Sequence, residues 1–124
     1  MFSLKSALAK PFAKTVKKSV LKWANNPVAT QEKVFQHLIS EAVNTQFGKD
    51  HDFISINTHE DFVKRVPVRD YEDLKVYVER VVAGEENILW KGKPLYFAKT
   101  SGTTSGSKYI PITKESMPTH VEAA

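Results

Sequence analysis

A chain of 124 residues, 41% hydrophobic and 26% charged, has the composition of one folded domain and no room for two. It contains no cysteine, which excludes a disulfide framework and a thiolate metal site and fits a reducing compartment such as the cytoplasm. The net charge of +4 is unevenly placed. Residues 1–30 hold Lys5, Lys10, Lys14, Lys17, Lys18 and Lys22 and no acid, so the remaining segment carries more acidic than basic residues. Basicity confined to one arm argues against nucleic acid as a partner. No apolar run approaches the roughly 18 residues of a transmembrane segment, and Lys5 and Lys10 interrupt any signal-peptide core.

In chain order, the first predicted element is an amphipathic helix over 4–23. Leu8, Phe12, Val16, Val20 and Trp23 recur on one side at helical spacing, with Lys10, Lys14, Lys18 and Lys22 opposite. Pro11 is expected to break or start its regular part. The basic arm, residues 1–26, has two readings: a terminal helix packing its stripe onto the body, or a helix making weak contact with a membrane surface. Asn25-Asn26-Pro27 should end it. Thr30 is placed to cap a second helix from Gln31 to about Phe47, whose wide stripe is Val34, Phe35, Leu38, Ile39, Ala42 and Val43, and Gly48 reads as its C-terminal stop.

A polar connector follows over 49–58. His51, Asp52, His59 and Asp61 are metal-ligating residue types, but their spacing matches no compact ligand set, so no metal site is expected. Thr58 followed by Asp61 has the spacing of a helix start. Val66-Pro67-Val68 is extended, because a residue before proline is pushed away from helical angles. Asp70 caps a third amphipathic helix with Leu74, Tyr77, Val78, Val81 and Val82 on its buried face and Gly84 at its end. Lys91-Gly92-Lys93-Pro94 is a turn, Trp90 reads as a packing residue, and Thr113 as the N-cap of a last helix that tolerates Pro118 near its start.

The richest stretch in chemistry is Thr100-Ser101-Gly102-Thr103-Thr104-Ser105-Gly106-Ser107-Lys108, six hydroxyls, two glycines and a lysine between two strand-like runs. Glycines let backbone N–H groups converge and small hydroxyls add donors, an arrangement suited to phosphate oxygens. A flexible linker has the same composition, yet extended runs start at once on both sides. A Walker loop fails on spacing: Gly102 and Gly106 are separated by three residues where that pattern needs four, Ser107 precedes Lys108, and Pro111 makes the following segment extended.

Thr100 to Lys108 resembles the signature of adenylate-forming enzymes, and most nearly that of the acyl-acid amido synthetases, the auxin-responsive promoter (Gretchen Hagen three) family. Ser101, Gly102, Thr103, Gly106 and Lys108 match, as do Pro111 and Thr113. An upstream block of Pro67-Val68, Tyr71-Glu72-Asp73-Leu74-Lys75, Tyr77, Arg80 and Gly84 matches too, and the likeness runs from about residue 30 to the end. The loop is one residue shorter than usual between Gly106 and Lys108, and Thr104 stands where many members carry serine.

The resemblance implies an α/β fold, here the incomplete N-terminal part of a large ATP-binding domain, with helices followed by a strand–phosphate loop–strand unit. It implies a two-step ligase, in which a carboxylic acid and Mg2+-ATP form an acyl-adenylate that the amine of an amino acid then attacks. Ser101, Gly102, Thr103, Thr104, Ser105, Gly106 and Lys108 are the implied ATP-binding residues, and Mg2+ would be held by residues outside this stretch. A related acyl-CoA or acyl-protein ligase would share the loop but not the upstream block. Residues 1–124 are accordingly expected to be a fragment, inactive as a synthetase in isolation.

Overall fold

The computed structural model describes residues 4–100 and 106–122, with side chains placed over 11–100 and 106–120. The chain divides into two units, Met1–Gln36 and His37–Ala124.

In the first unit, helix α1 spans Leu4–Ala24. Pro11 does not break it. The ring removes one N–H bond and its own carbonyl stays in use, accepting from Thr15 Oγ1 at 3.1 Å. Phe12, Val16, Val20 and Trp23 are exposed. Helix α2, Pro27–Ala42, starts four residues earlier than its sequence pattern indicates. Proline at the first helical position loses only an N–H that would have no partner there. Thr30 is therefore no cap: it lies within the first turn, and both its amide and its hydroxyl donate to the Asn26 carbonyl.

The second unit corrects the end of α2. The helix stops at Ala42, and Thr45 opens a separate short helix α3, Gln46–Asp50. Thr45 is 1% exposed; its Oγ1 accepts from the Gly48 amide at 3.0 Å and donates to the Ala42 carbonyl at 2.7 Å. Gly48 is not a stop but a buried position inside α3, where a Cβ would run into the Ala42 carbonyl and lie 3.1 Å from that of Val43. The α3 amides of Gln46 and Phe47 donate to the carbonyls of Asn87 and Ile88, so two helix-start donors are satisfied by a loop forty residues away.

After a 3-10 turn at Phe53–Ser55 comes α4, His59–Arg65, closed by a reciprocal cap: Thr58 accepts from the Asp61 amide and Asp61 accepts from the Thr58 amide. Helix α5, Tyr71–Val82, begins at Asp70, whose carboxylate accepts from the Asp73 amide at 3.1 Å. It ends on Gly84 in the left-handed region (φ 93°), with the Glu85 amide donating to Arg80 and the Gly84 amide to Val81, a paired bond set that uses the last free carbonyls. Tyr77, Val81 and Ile88 form the core of this unit, with Phe47, Leu74, Leu89 and Phe97 packed around them. Each such buried side chain is worth roughly 1.5–3 kcal/mol.

Strands β1, Tyr96–Thr100, and β2, Lys108–Ile112, form an antiparallel hairpin, and α6 spans Met117–Glu122. The amides of Thr113 and Ser116 each donate to the other's hydroxyl oxygen at the turn before α6, so Thr113 lies four residues before the helix start and is not its N-cap, and Pro118 falls in the first turn. The described residues are thus mostly helical with one two-stranded antiparallel sheet. The order of helices followed by a hairpin is as expected, whereas the α/β class rests on family resemblance and no parallel strand occurs among the described residues.

Candidate functional site

The hairpin holds the candidate loop at a defined base. Its last cross-strand pair is Thr100 opposite Lys108, so residues 101–107 connect two positions fixed side by side. Of the candidate residues, Ser101, Gly102, Thr103, Thr104 and Ser105 lie outside the described residues. Gly106 and Lys108 lie within them. Gly106 has φ 81°, a left-handed angle at which an L side chain is strained, and a Cβ there would meet no atom of the described residues within 4 Å. Conformation, not space, calls for glycine at this point.

Lys108 starts β2 and is half-buried, with its Nζ 5.3 Å from the centre of the Tyr71 ring. Among the described residues it makes no ion pair, in contrast to Arg65, Lys75, Arg80, Lys91 and Lys93. The next residue, Tyr109, donates its amide to Tyr71 Oη at 2.9 Å. That amide therefore faces away from β1. Amide direction alternates along a strand, so Pro111 also faces away and costs the hairpin no ladder bond. On the other strand, Lys99 Nζ lies 5.7 Å from the Tyr109 ring, which meets Phe97 edge to face at 6.2 Å. Each strand thus carries a lysine beside an aromatic ring near the loop's base, Lys99 on β1 and Lys108 on β2, with no carboxylate bonded to either ammonium among the described residues.

The polar connector has a structural role. The buried His51 ring stacks on Phe47 with centroids 4.1 Å apart; its Nδ1 donates to the Phe47 carbonyl at 2.8 Å and its Nε2 accepts from Arg69 at 3.1 Å. Both ring nitrogens are engaged, which assigns the neutral tautomer with the proton on Nδ1. Asp61 is held below the usual carboxylate range by the Thr58 hydroxyl and by the amides of Asn57 and Thr58. Asp52 accepts from Arg65 at 3.3 Å.

Tyr71 is the residue at this site that motif reading named without a role. It belongs to the block Tyr71-Glu72-Asp73-Leu74-Lys75, but nothing in that block indicates that its hydroxyl meets a strand 38 residues later.

Among the described residues, the start of β2, which follows the glycine- and hydroxyl-rich stretch, rests on the capped start of α5. Residues 16–123 match the GH3 family N-terminal domain, and the chain belongs to that family. The match reaches further toward the N-terminus than the motifs do. The chain is 31% identical over 117 residues to indole-3-acetic acid-amido synthetase GH3.4 of Arabidopsis thaliana, covering 90% of this chain and 20% of that protein. It is 30% identical over 102 residues to GH3.2 of the same organism, covering 81% of this chain and 19% of the relative. A 58-residue stretch is 43% identical to probable indole-3-acetic acid-amido synthetase GH3.13 of Oryza sativa subsp. japonica, covering 45% of this chain and 12% of the relative. The chain therefore spans about a fifth of the length of the curated relatives it matches most extensively. Among the described residues, no helix is long and apolar enough to cross a membrane.

Proposed function

We propose that this chain supplies the ATP-phosphate grip of an acyl-acid amido synthetase. In that reaction a carboxylate oxygen attacks the α-phosphorus of ATP and pyrophosphate leaves; an amino acid amine then attacks the acyl carbonyl, AMP leaves, and an amide remains. Phosphoryl transfer of this kind depends on positioning and on stabilising negative charge. Backbone amides and hydroxyls of Ser101, Gly102, Thr103, Thr104 and Ser105, with the turn at Gly106, would donate to the β- and γ-phosphates. Lys108 adds a point cation.

The observation that carries this reading is the position of Lys108: paired with Thr100 at the loop's base, resting on an aromatic ring and not on a carboxylate. An ammonium so placed fits a polyphosphate. Mg2+ accompanies the nucleotide, and none of this chain's residues is assigned to it. Indole-3-acetate is the first acid to try, because the relatives' names carry it.

The test is pyrophosphate exchange into ATP, dependent on added acid, by a protein that carries this chain at the length of its relatives. Exchange with indole-3-acetate or another small carboxylate, reduced at least tenfold by Lys108→Ala, is expected. Acid-dependent exchange undiminished by Lys108→Ala and Gly102→Ala would remove the loop from the reaction. The 124-residue chain by itself is expected to show no exchange, and activity from it would contradict the division of labour proposed here.

A second reading concerns α1. Phe12 is 72% exposed and Trp23 52% exposed on the side opposite Lys14 and Lys18, the pattern of a helix lying on an anionic membrane surface. Salt-sensitive co-sedimentation with phosphatidylglycerol vesicles, lost on deletion of residues 1–26, would support it. Equal sedimentation with and without those residues would dismiss it.

A further inference from the structure

We infer that Tyr71 is a positioning residue for the phosphate loop, tying residues 108 and 109 to the start of α5 and presenting the Lys108 ammonium to a bound polyphosphate. The inference rests on the proposed phosphate reading and assigns a role that the loop motif does not contain.

Tyr71 is the first residue of α5, and its place is set by the Asp70 cap one residue before it. From there it makes two contacts of different kind with two consecutive residues. Its hydroxyl oxygen accepts the Tyr109 amide at 2.9 Å, and its ring lies under Lys108 Nζ at 5.3 Å. The first contact satisfies an N–H on the outer edge of β2, where the hairpin offers no partner. With that amide bonded, the strand leaving the loop is fixed to a helix start and not left to pivot about Thr100.

The second contact keeps a cation in place without neutralising it. A carboxylate partner would compete with phosphate for the ammonium, and an incoming anion would have to break a charge-assisted bond. An aromatic face attracts the cation through its quadrupole, leaves its N–H donors free on the far side, and yields readily. Lys108 is half-buried and makes no ion pair among the described residues, as this role requires. The arrangement also gives a physical reason for the two motif blocks to occur together: the upstream block carries the support on which the loop's exit rests.

The test uses the 124-residue chain, inorganic tripolyphosphate as the probe, and three variants: Tyr71→Phe, Tyr71→Leu and Lys108→Met. In the wild type, the Lys108 ε-protons should be shifted upfield by the Tyr71 ring current, and the Tyr109 amide should be protected from hydrogen exchange. Tyr71→Phe should retain the ring-current shift while the Tyr109 amide exchanges about tenfold faster. Tyr71→Leu should abolish both and weaken tripolyphosphate binding by about the same factor as Lys108→Met, on the order of tenfold. A fourth variant combining Tyr71→Leu with Lys108→Met should bind no worse than Lys108→Met alone. Should Tyr71→Leu fail to fold, the ring-current shift in the wild type and its persistence in Tyr71→Phe decide the cation contact, and Tyr109 exchange decides the amide contact.

Wild-type affinity in a folded Tyr71→Leu variant, or Lys108 protons without an upfield shift, would overturn the inference while leaving the phosphate reading intact. A wild-type chain that binds no tripolyphosphate, with both spectroscopic signatures present, would instead overturn the phosphate reading and the purpose assigned here to Tyr71.

Discussion

The Tyr77 hydroxyl donates to the Asp50 carboxylate at 2.8 Å, joining α5 to the end of α3 across 27 residues. The same carboxylate accepts from Gln46 Nε2 at 2.8 Å. The Tyr77 bond, followed by that of Gln46, holds Asp50 below its ordinary value of 3.8, while burial and then the Asp50 bond push the Tyr77 phenol up. Because the folded carboxyl is the stronger acid, its contribution to stability is fully present above pH 3.8. It is lost as pH falls through the depressed folded value. Tyr77→Phe should cost about 1 kcal/mol near neutrality and move the Asp50 titration, followed by carboxyl carbon shifts, back toward the ordinary range. A titration that stays depressed in the variant would show that Tyr77 is not its cause.

Gly48 tests how tightly α3 lies against the end of α2. A methyl group there meets backbone carbonyls, which cannot swing away as a side chain would. Gly48→Ala should therefore destabilise by roughly 2–4 kcal/mol, although alanine favours helices. Measured by urea unfolding, a stabilised Gly48→Ala would mean that α3 is not packed as described.

His51 separates a structural from a metal-binding role. With its ring stacked on Phe47 and both nitrogens bonded, its replacement by alanine should cost about 2–3 kcal/mol through lost packing and the lost Arg69 bond, the Phe47 carbonyl keeping the residue-51 amide as a donor. Added Zn2+ should leave the thermal midpoint of the wild-type chain unchanged. A rise of several degrees with Zn2+ that disappears in His51→Ala would restore the metal reading of the 51–61 connector.

Gly106 separates loop conformation from global stability. With no described atom within 4 Å of an added Cβ, Gly106→Ala should lower stability by only the conformational cost of an L residue at a left-handed angle, about 1–2 kcal/mol. It should nevertheless weaken tripolyphosphate binding several-fold by moving the loop's last turn out of the left-handed region. Isothermal titration beside a denaturant melt reads both quantities on one sample. Equal binding by the variant would leave the positive φ at Gly106 without a function in phosphate recognition.

Much of this protein was legible in its residues because the relevant interactions are local. Thr58 and Asp61, Asp70 and Asp73, and Gly84 after Val82 lie within one helical turn of their partners, so spacing suffices to place those helix ends. The family was equally legible, since Ser101-Gly102-Thr103, Gly106, Lys108 and the Pro67–Gly84 block are linear patterns. The same locality misled at residues 42–48. A glycine after a helical stripe reads as a stop, yet Thr45 caps a new helix and Gly48 is required because two backbone segments press together there.

What the tertiary structure decided is which distant surfaces meet. The stacking of His51 on Phe47 with Arg69 closing over it, the bond from Tyr77 to Asp50, and the seat of Tyr109 and Lys108 on Tyr71 join residues whose own neighbours give no sign of the pairing. Periodicity identifies an apolar face but not its partner, because burial depends on area and shape and is indifferent to sequence distance. The residue types and linear order by themselves determined α1, α4, α5, the hairpin and the family. The support under Lys108 exists only because packing brings the capped start of α5 to the outer edge of β2.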